Sequence, residues 1–278
     1  MKKVIKKIVK IIISIDLIYN LFDKLLTYGW MIKFQRQLLD RKKFETKQNS
    51  LLKQLFPVPV VLNGPFNGMK YPGFRSKSSS LYSKLIGSYE MEITDYILTA
   101  IEDKYEQVID IGCAEGYYAV GLALKIEKTI VYAYDIDHEA RELTTEMANI
   151  NDVSKKIIVR KNIKSSSFSE FDLTKKTLII CDIEGVERFI FNSSNIKLFK
   201  NCSLIIETHD WVDINISTDL ENLFSPTHNV KAIQSIGDNI KAKNYSFTEL
   251  ESFDLLTKYR VFEEGRRYVD EWLIISPN

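Results

Sequence analysis

VIDIGCAEGYYAVGLAL, residues 108–124, runs from an apolar, strand-like stretch through a turn into a helix-like one. At the junction stand one carboxylate, Asp110, and three small residues, Gly112, Ala114 and Gly116. Small residues let a ligand approach the bare backbone of a turn. A carboxylate beside them suits a cationic group on that ligand. The pattern predicts a strand, a ligand-binding turn and a helix.

Working outward, the same alternation recurs. Ile93, Tyr96, Ile97, Ala100 and Ile101 give one helical face before the strand QVIDI (107–111). Tyr118 to Ile126 continues as helix, TIVYAYDI (129–136) as strand, and Glu139 to Asn149 as helix. KIIVRKN (156–162), TLIICDI (177–183) and SLIIETH (203–209) are further apolar strands. NVKAIQSI (229–236) and EWLIISP (271–277) close the pattern, with a helical FTELESFDLLTKY (247–259) between them. Strands alternating with helices mean βαβ units and a buried, mostly parallel sheet. The expected fold is therefore α/β and Rossmann-like: a mostly parallel seven-stranded sheet with helices on both faces, over residues 88–278.

In such sheets ligands bind beyond the carboxyl ends of the strands. The polar residues there are Asp110, Asp135, Asn162, Asp182 and His209. Asp and Asn are common in turns, so one alone means little; five at equivalent ends predict a shared site. The ligand is not expected to carry a phosphate. The glycine fingerprint for a pyrophosphate is broken, with Ala114 at its second glycine and Tyr117 at its third, and no G-x-x-x-x-G-K-[ST] loop occurs. Asp135 closes the second strand, where a carboxylate can accept both hydroxyls of a ribose.

A nucleoside with a cationic tail and no phosphate fits these requirements, and VIDIGCAEG with VYAYDID resembles the first two motifs of class I S-adenosylmethionine-dependent methyltransferases. CDIEGVERFIF (181–191) is similar to the DVEGAE signature of the FkbM-type branch, and LIIETHD (204–210) to the E-x-H of its next strand. The chain departs from that branch at Cys113-Ala114-Glu115 and at Tyr134-Asp135-Ile136. The resemblance implies S-adenosylmethionine as cofactor and methylation of a hydroxyl on a glycan or secondary metabolite. It places the cofactor against Asp110, Gly112, Cys113, Ala114, Gly116, Tyr117, Asp135, Ile136, Asn162 and Asp182.

Oxygen methylation requires the acceptor proton to be removed, and His is the usual base near neutral pH. His209 is the candidate, with Glu207 two residues earlier on the same face to orient it. Asp182 and Glu184 are expected to position the acceptor, or with His209 to hold a divalent ion, although no dedicated metal-ligand spacing such as H-E-x-x-H is present. The alternative roles are structural. His209 would cap a following helix, and Glu184-Gly185 would be a helix-start turn. His138 is expected at a helix start and His228 at the surface. Arg266 and Arg267 either bind an acidic substrate or are simply solvated. Asp135 would also suit a nicotinamide cofactor, so an oxidoreductase stays open as an alternative, as does a non-catalytic membrane-associated module.

The 278 residues allow one large α/β domain with an appendage. Residues 1–50 carry twelve Lys/Arg against four Asp/Glu, so a net charge of +1 overall leaves an acidic body. That body is not expected to bind nucleic acid. Three cysteines without a C-x-x-C exclude a disulfide framework and fit a reducing, cytoplasmic compartment. In residues 1–56, read as a basic helical extension, Ile5, Ile8, Ile12, Ile15, Ile18 and Phe22 share one face, with Lys3, Lys6 and Lys10 mostly opposite. Charges interrupt this arm too often for the ~18 apolar residues of a span. Peripheral contact of residues 1–25 with the inner face of a membrane, or docking on protein, remain the two readings. A second helical stretch is expected from about Tyr28 to Leu55, and residues 57–87 as a hairpin or loop segment covering the core.

Overall fold

The computed structural model describes residues 2, 6, 16–77, 79–266 and 268–278, without the side chains of 16–19, 21, 22 and 40–49. The chain divides into two units, Met1–Leu55 and Phe56–Asn278. Most of the apolar face expected on residues 1–25 lies outside the described residues. Among its described residues the first unit holds the helix α1 (Asp16–Leu55), which runs on without a break through residues 22–28, where two separate helical stretches are expected from the sequence. A single interior glycine, Gly29, costs only about 1 kcal/mol in a helix and does not break it. Pro57, which removes an N–H and disfavours helix in the residue before it, follows its end. Among the described residues no helix is long and apolar enough to cross a membrane.

The second unit is built on a seven-stranded sheet in the order β3-β2-β1-β4-β5-β7-β6. Its strands are β1 (Gln107–Ile111), β2 (Ile130–Tyr134), β3 (Ile157–Arg160), β4 (Thr177–Cys181), β5 (Cys202–Thr208), β6 (His228–Gln234) and β7 (Glu271–Pro277). The first five run parallel, while β7 is antiparallel to both β5 and β6. All of β1 and β4 is buried, as continuous apolar runs in a two-sided sheet require. Helices cover both faces: α2 (Leu81–Ile86), α3 (Thr94–Asp103), α4 (Tyr117–Lys125), α5 (His138–Ile150), α6 (Glu187–Ile190), α7 (Ile216–Phe224), α8 (Asp238–Asn244) and α9 (Leu255–Phe262). On one face Phe168, Phe191, Phe199 and Phe224 pack with Ile206 and Leu273 in a core cluster.

The register positions the site. Ile111 pairs with Tyr134 on one side and Cys181 on the other, and Cys181 pairs with Ile206. The next residue along each strand therefore sits at one level: Gly112, Asp135, Asp182 and Glu207.

Three local expectations change. The 57–87 segment is not only loop; besides one antiparallel bridge, Val60 to Lys70, it contains α2, whose six residues are too few to show a helical period. The stretch 247–259 is not one helix. Asp254 is extended, and its carboxylate accepts from the Thr257 N–H at 2.8 Å, starting α9 afresh. His228 is buried, with Nε2 3.1 Å from the Phe199 carbonyl and Nδ1 2.8 Å from the Thr227 hydroxyl. Its polar ring made it look like a surface residue, but both nitrogens find partners inside.

Candidate active site

The turn after β1 is held as a shallow cradle. The Gly112 and Cys113 N–H groups donate to the Tyr134 carbonyl at 2.8 and 2.9 Å. Gly112 has φ +86°, and a Cβ there would lie 1.7 Å from the Asp182 carbonyl oxygen. Only glycine lets the ends of β1 and β4 approach so closely. Ala114, at φ +46°, donates its N–H to Asp135 Oδ2 at 2.9 Å, while the Asp137 N–H donates to Asp135 Oδ1 at 2.8 Å. The second-strand carboxylate thus fixes both turns beside it.

Three adjoining hollows open along the carboxyl ends of the strands, and Asp182 lines all three. One, about 280 Å³, is lined by Ile136, Ile163, Val186 and Ile190 with Asp135 and Asn162 at polar points. The smallest, about 50 Å³, is bounded by Asp110, Gly112, Cys113, Ala114, Tyr117 and Glu90. The largest, about 450 Å³, is lined by Asp182, Glu184, Glu207, His209 and Trp211, with Glu264, Gly265, Arg266, Tyr268 and Asp270. Of the residues expected against a cofactor, Gly116 lines none of the three; its φ of +94° serves the start of α4.

Asp110 is buried, and its Oδ2 has no hydrogen-bond partner. Burial pushes its carboxyl up to about 8; the Ala119 backbone pulls it down, and Asp182 and Asp135 push it up further. A buried orphan carboxylate of this kind is stabilised by an incoming cation. Burial likewise lifts Asp182 to about 7, with His209 pulling it back.

His209 follows β5, with Nε2 3.4 Å from Asp182 Oδ1 and 3.7 Å from Glu184 Oε2. Its Nδ1 is 2.7 Å from Glu187 Oε1, not against Glu207 as expected. Glu187 is fully buried and also accepts the Gly185 N–H at 3.0 Å. Burial works against the imidazolium, but Glu187 and the nearby carboxylates outweigh it, so the His209 pKa lies above its ordinary value. Glu207 instead pairs with Arg266. Two residues apart on a strand does put Glu207 and His209 on one face, but Arg266 from the β7 side claims the carboxylate.

Arg266 is neither a solvated charge nor a spare anion site. It reaches Glu90 at 2.8 Å, Glu264 at 3.0 Å and Asp270 at 2.9 Å besides Glu207, and lies over the Trp272 ring. Arg267 lies outside the described residues. His138 is exposed at the start of α5, 3.4 Å from Glu142. Among the described residues one group, Asp182, Glu207 and His209, brings metal-ligand atoms within 4.8 Å of one another.

Glu115, in the same turn, has a structural role. It is fully buried, pairs with the buried Lys84, and accepts from the Ser76 hydroxyl at 2.8 Å and the Lys77 N–H at 3.2 Å. Glu115 therefore pins the 70s segment over the turn, where Lys77 and Ser79 reach the hollows.

The strand order of the parallel sheet reverses between β1 and β4, and an antiparallel β7 is inserted between β5 and β6. The fold is that of class I S-adenosylmethionine-dependent methyltransferases. The family model described as ribosomal protein L11 methyltransferase (PrmA) matches residues 92–184. That match spans the cradle, Asp135 and Asp182 but stops short of His209. No curated protein matches the chain. Distant solved structures include the O-methyltransferase TomG from Streptomyces achromogenes, involved in tomaymycin synthesis, in complex with SAM (9% identity, 64% of this chain, 77% of that one, TM-score 0.45). Others are an O-methyltransferase from Bacillus cereus in complex with SAH (12%, 64%, 77%, 0.42) and cofactor-bound Rv0187 from MTB (13%, 65%, 78%, 0.43).

Proposed function

We propose that this chain is an S-adenosylmethionine-dependent O-methyltransferase of the FkbM-like branch, acting on a hydroxyl of a glycan or small metabolite. The observation that carries the reading is Asp182, which borders a nucleoside-sized hollow on one side and a hollow with a buried, carboxylate-held histidine on the other. The residues fit the cofactor. The hollow of Ile136, Ile163, Val186 and Ile190 suits an adenine, Asp135 and Asn162 suit its ribose, and orphaned Asp110 suits the amino group of its tail. When bound, the cofactor supplies a methyl group made electrophilic by its sulfonium.

The chain's own residues do the rest. Glu187 accepts from His209 Nδ1–H, which leaves Nε2 as the lone-pair nitrogen facing the large hollow. His209 Nε2 takes the acceptor proton, and Glu187 stabilises the imidazolium that forms. Asp182 and Glu184 orient the acceptor hydroxyl. The stretches 181–191 and 204–210 of the FkbM-type signature supply both members of the Glu187–His209 pair.

A nicotinamide cofactor is not favoured. The glycine fingerprint is broken at Tyr117, and the sheet is not the all-parallel dinucleotide-binding order. A second role, peripheral membrane contact through residues 1–25, rests on the basic arm alone, and liposome flotation of the full chain tests it. The test of the main reading is S-adenosylhomocysteine binding together with methyl transfer to a hydroxylated acceptor. Binding without transfer to any hydroxyl, but with transfer to nitrogen, would replace oxygen by nitrogen as the target.

A further inference from the structure

The large hollow has an uneven charge. Its wall carries Asp182, Glu184, Glu207, Glu264 and Asp270, against Arg266 and His209 as the cationic groups among the described residues. Arg266 has no capacity to spare, since one guanidinium already serves Glu90, Glu207, Glu264 and Asp270. Glu264 also pairs with the buried Lys241, so the wall's negative charge is left on Asp182 and Glu184, which face His209 and pair with no lysine or arginine among the described residues. An anionic acceptor would meet repulsion there, and a cation would be drawn in.

The mouth adds a second feature. Trp211 and Tyr268 stack at 5.5 Å and 19°, forming a shelf from two different loops. Both are about half exposed, 50% and 57%, so their faces are open to a ligand. The Trp211 and His209 rings meet edge to face with centroids 6.1 Å apart, so a ligand on the shelf would lie beside the imidazole. Aromatic faces hold both the C–H face of a saturated ring and an ammonium group.

We propose that this hollow selects an acceptor of the amino-sugar class, with its ring on the Trp211–Tyr268 shelf and its ammonium group facing Glu184 and Asp182. The assignment rests on the reading of the hollow as the acceptor site and names what that site takes. Burial first, and the neighbouring carboxylates after it, lift Asp182 to about 7 and Glu207 well above its usual range.

The test keeps one ring and changes its charge. Full-length protein loaded with S-adenosylhomocysteine is titrated by calorimetry with methyl glucosaminide, methyl glucoside and methyl glucuronide. The cationic ring is expected to bind at least about tenfold tighter than the neutral one, and the anionic ring not to saturate. In Glu184→Gln the cationic advantage should shrink by about threefold or more. Trp211→Ala and Tyr268→Ala should each weaken the cationic ring about tenfold while leaving S-adenosylhomocysteine affinity unchanged. These exposed positions tolerate substitution, and a thermal melt confirms that each variant folds. Equal binding of the neutral ring, preference for the anionic one, or no binding of any would overturn the proposal. So would magnesium binding that abolishes the preference, since the acid excess would then belong to a metal. Failure of S-adenosylhomocysteine to bind would sink the methyltransferase reading instead, and the sugar series in the unloaded protein would still decide the charge selection.

Discussion

Glu187 Oε1 lies 2.7 Å from His209 Nδ1, joining the turn after β4 to the turn after β5 beneath the large hollow. The pair turns His209 Nε2 toward the large hollow and keeps the ring above its ordinary pKa. As the proposed base, His209 must be neutral to act and so should work best on the alkaline side of that raised value. Turnover at saturating cofactor should rise with pH through the upper histidine range. In Glu187→Gln the inflection should move down, because the hydrogen-bonded carboxylate that raises it is gone. Turnover should fall by up to roughly 10²-fold, the low end of a general base's worth, since Glu187 orients the base and is not itself the base. Steady-state rates across pH check both. An unmoved inflection would make Glu187 merely structural.

Asp110 gives a second pH dependence with the opposite origin. Its carboxyl, pushed up to about 8 by burial, is largely protonated at pH 7 in the free protein. A cationic tail beside it lowers that value, so cofactor binding should expel protons. Affinity should therefore increase as pH rises toward 8 and level off above. Calorimetry at pH 7 in buffers of different ionisation enthalpy measures the protons released. No buffer dependence would separate Asp110 from the cofactor.

Much of this was legible beforehand, and the limits are instructive. Each apolar strand is a local signal, so all seven strands were readable, and with them the polar residues at their ends. Glu187 was not singled out, although it stands inside the quoted 181–191 signature, because nothing local says that its side chain turns inward to a histidine 22 residues later. Arg266 and His228 were misread for the same reason. Their partners come from Glu90, Glu207 and Phe199, distant in the chain. Asp254 was missed as a break because a cap and an interior acidic residue look alike until the backbone extends.

Gly112 tests the fold's tightest approach. In Gly112→Ala a Cβ would meet the Asp182 carbonyl, and φ +86° is strained for any L side chain. Strain of about 1–2 kcal/mol adds to overpacking of about 1–3 kcal/mol. The variant should melt clearly lower and lose cofactor binding. Wild-type stability in a denaturant titration would contradict the close approach of β1 and β4.

The buried Lys84–Glu115 pair pins the 70s segment onto the cradle. Lys84→Ala leaves Glu115 charged and unpaired inside, at a cost of about 3–5 kcal/mol. Replacing both by apolar residues of similar volume should recover much of the stability. It should not recover full cofactor affinity, because Ser76 and Lys77 lose their anchor. Chemical denaturation of the single and double variants, with cofactor titration, separates the two effects.

The central claim is that the cradle, Asp110 and Asp135 together hold a phosphate-free nucleoside with a cationic tail. Titration calorimetry of the full chain with S-adenosylhomocysteine tests it most directly. Micromolar-range binding is expected, weakened at least about tenfold in Asp135→Ala, with no heat from NAD. No heat and no thermal shift with S-adenosylhomocysteine, or saturable binding of NAD in its place, would contradict it.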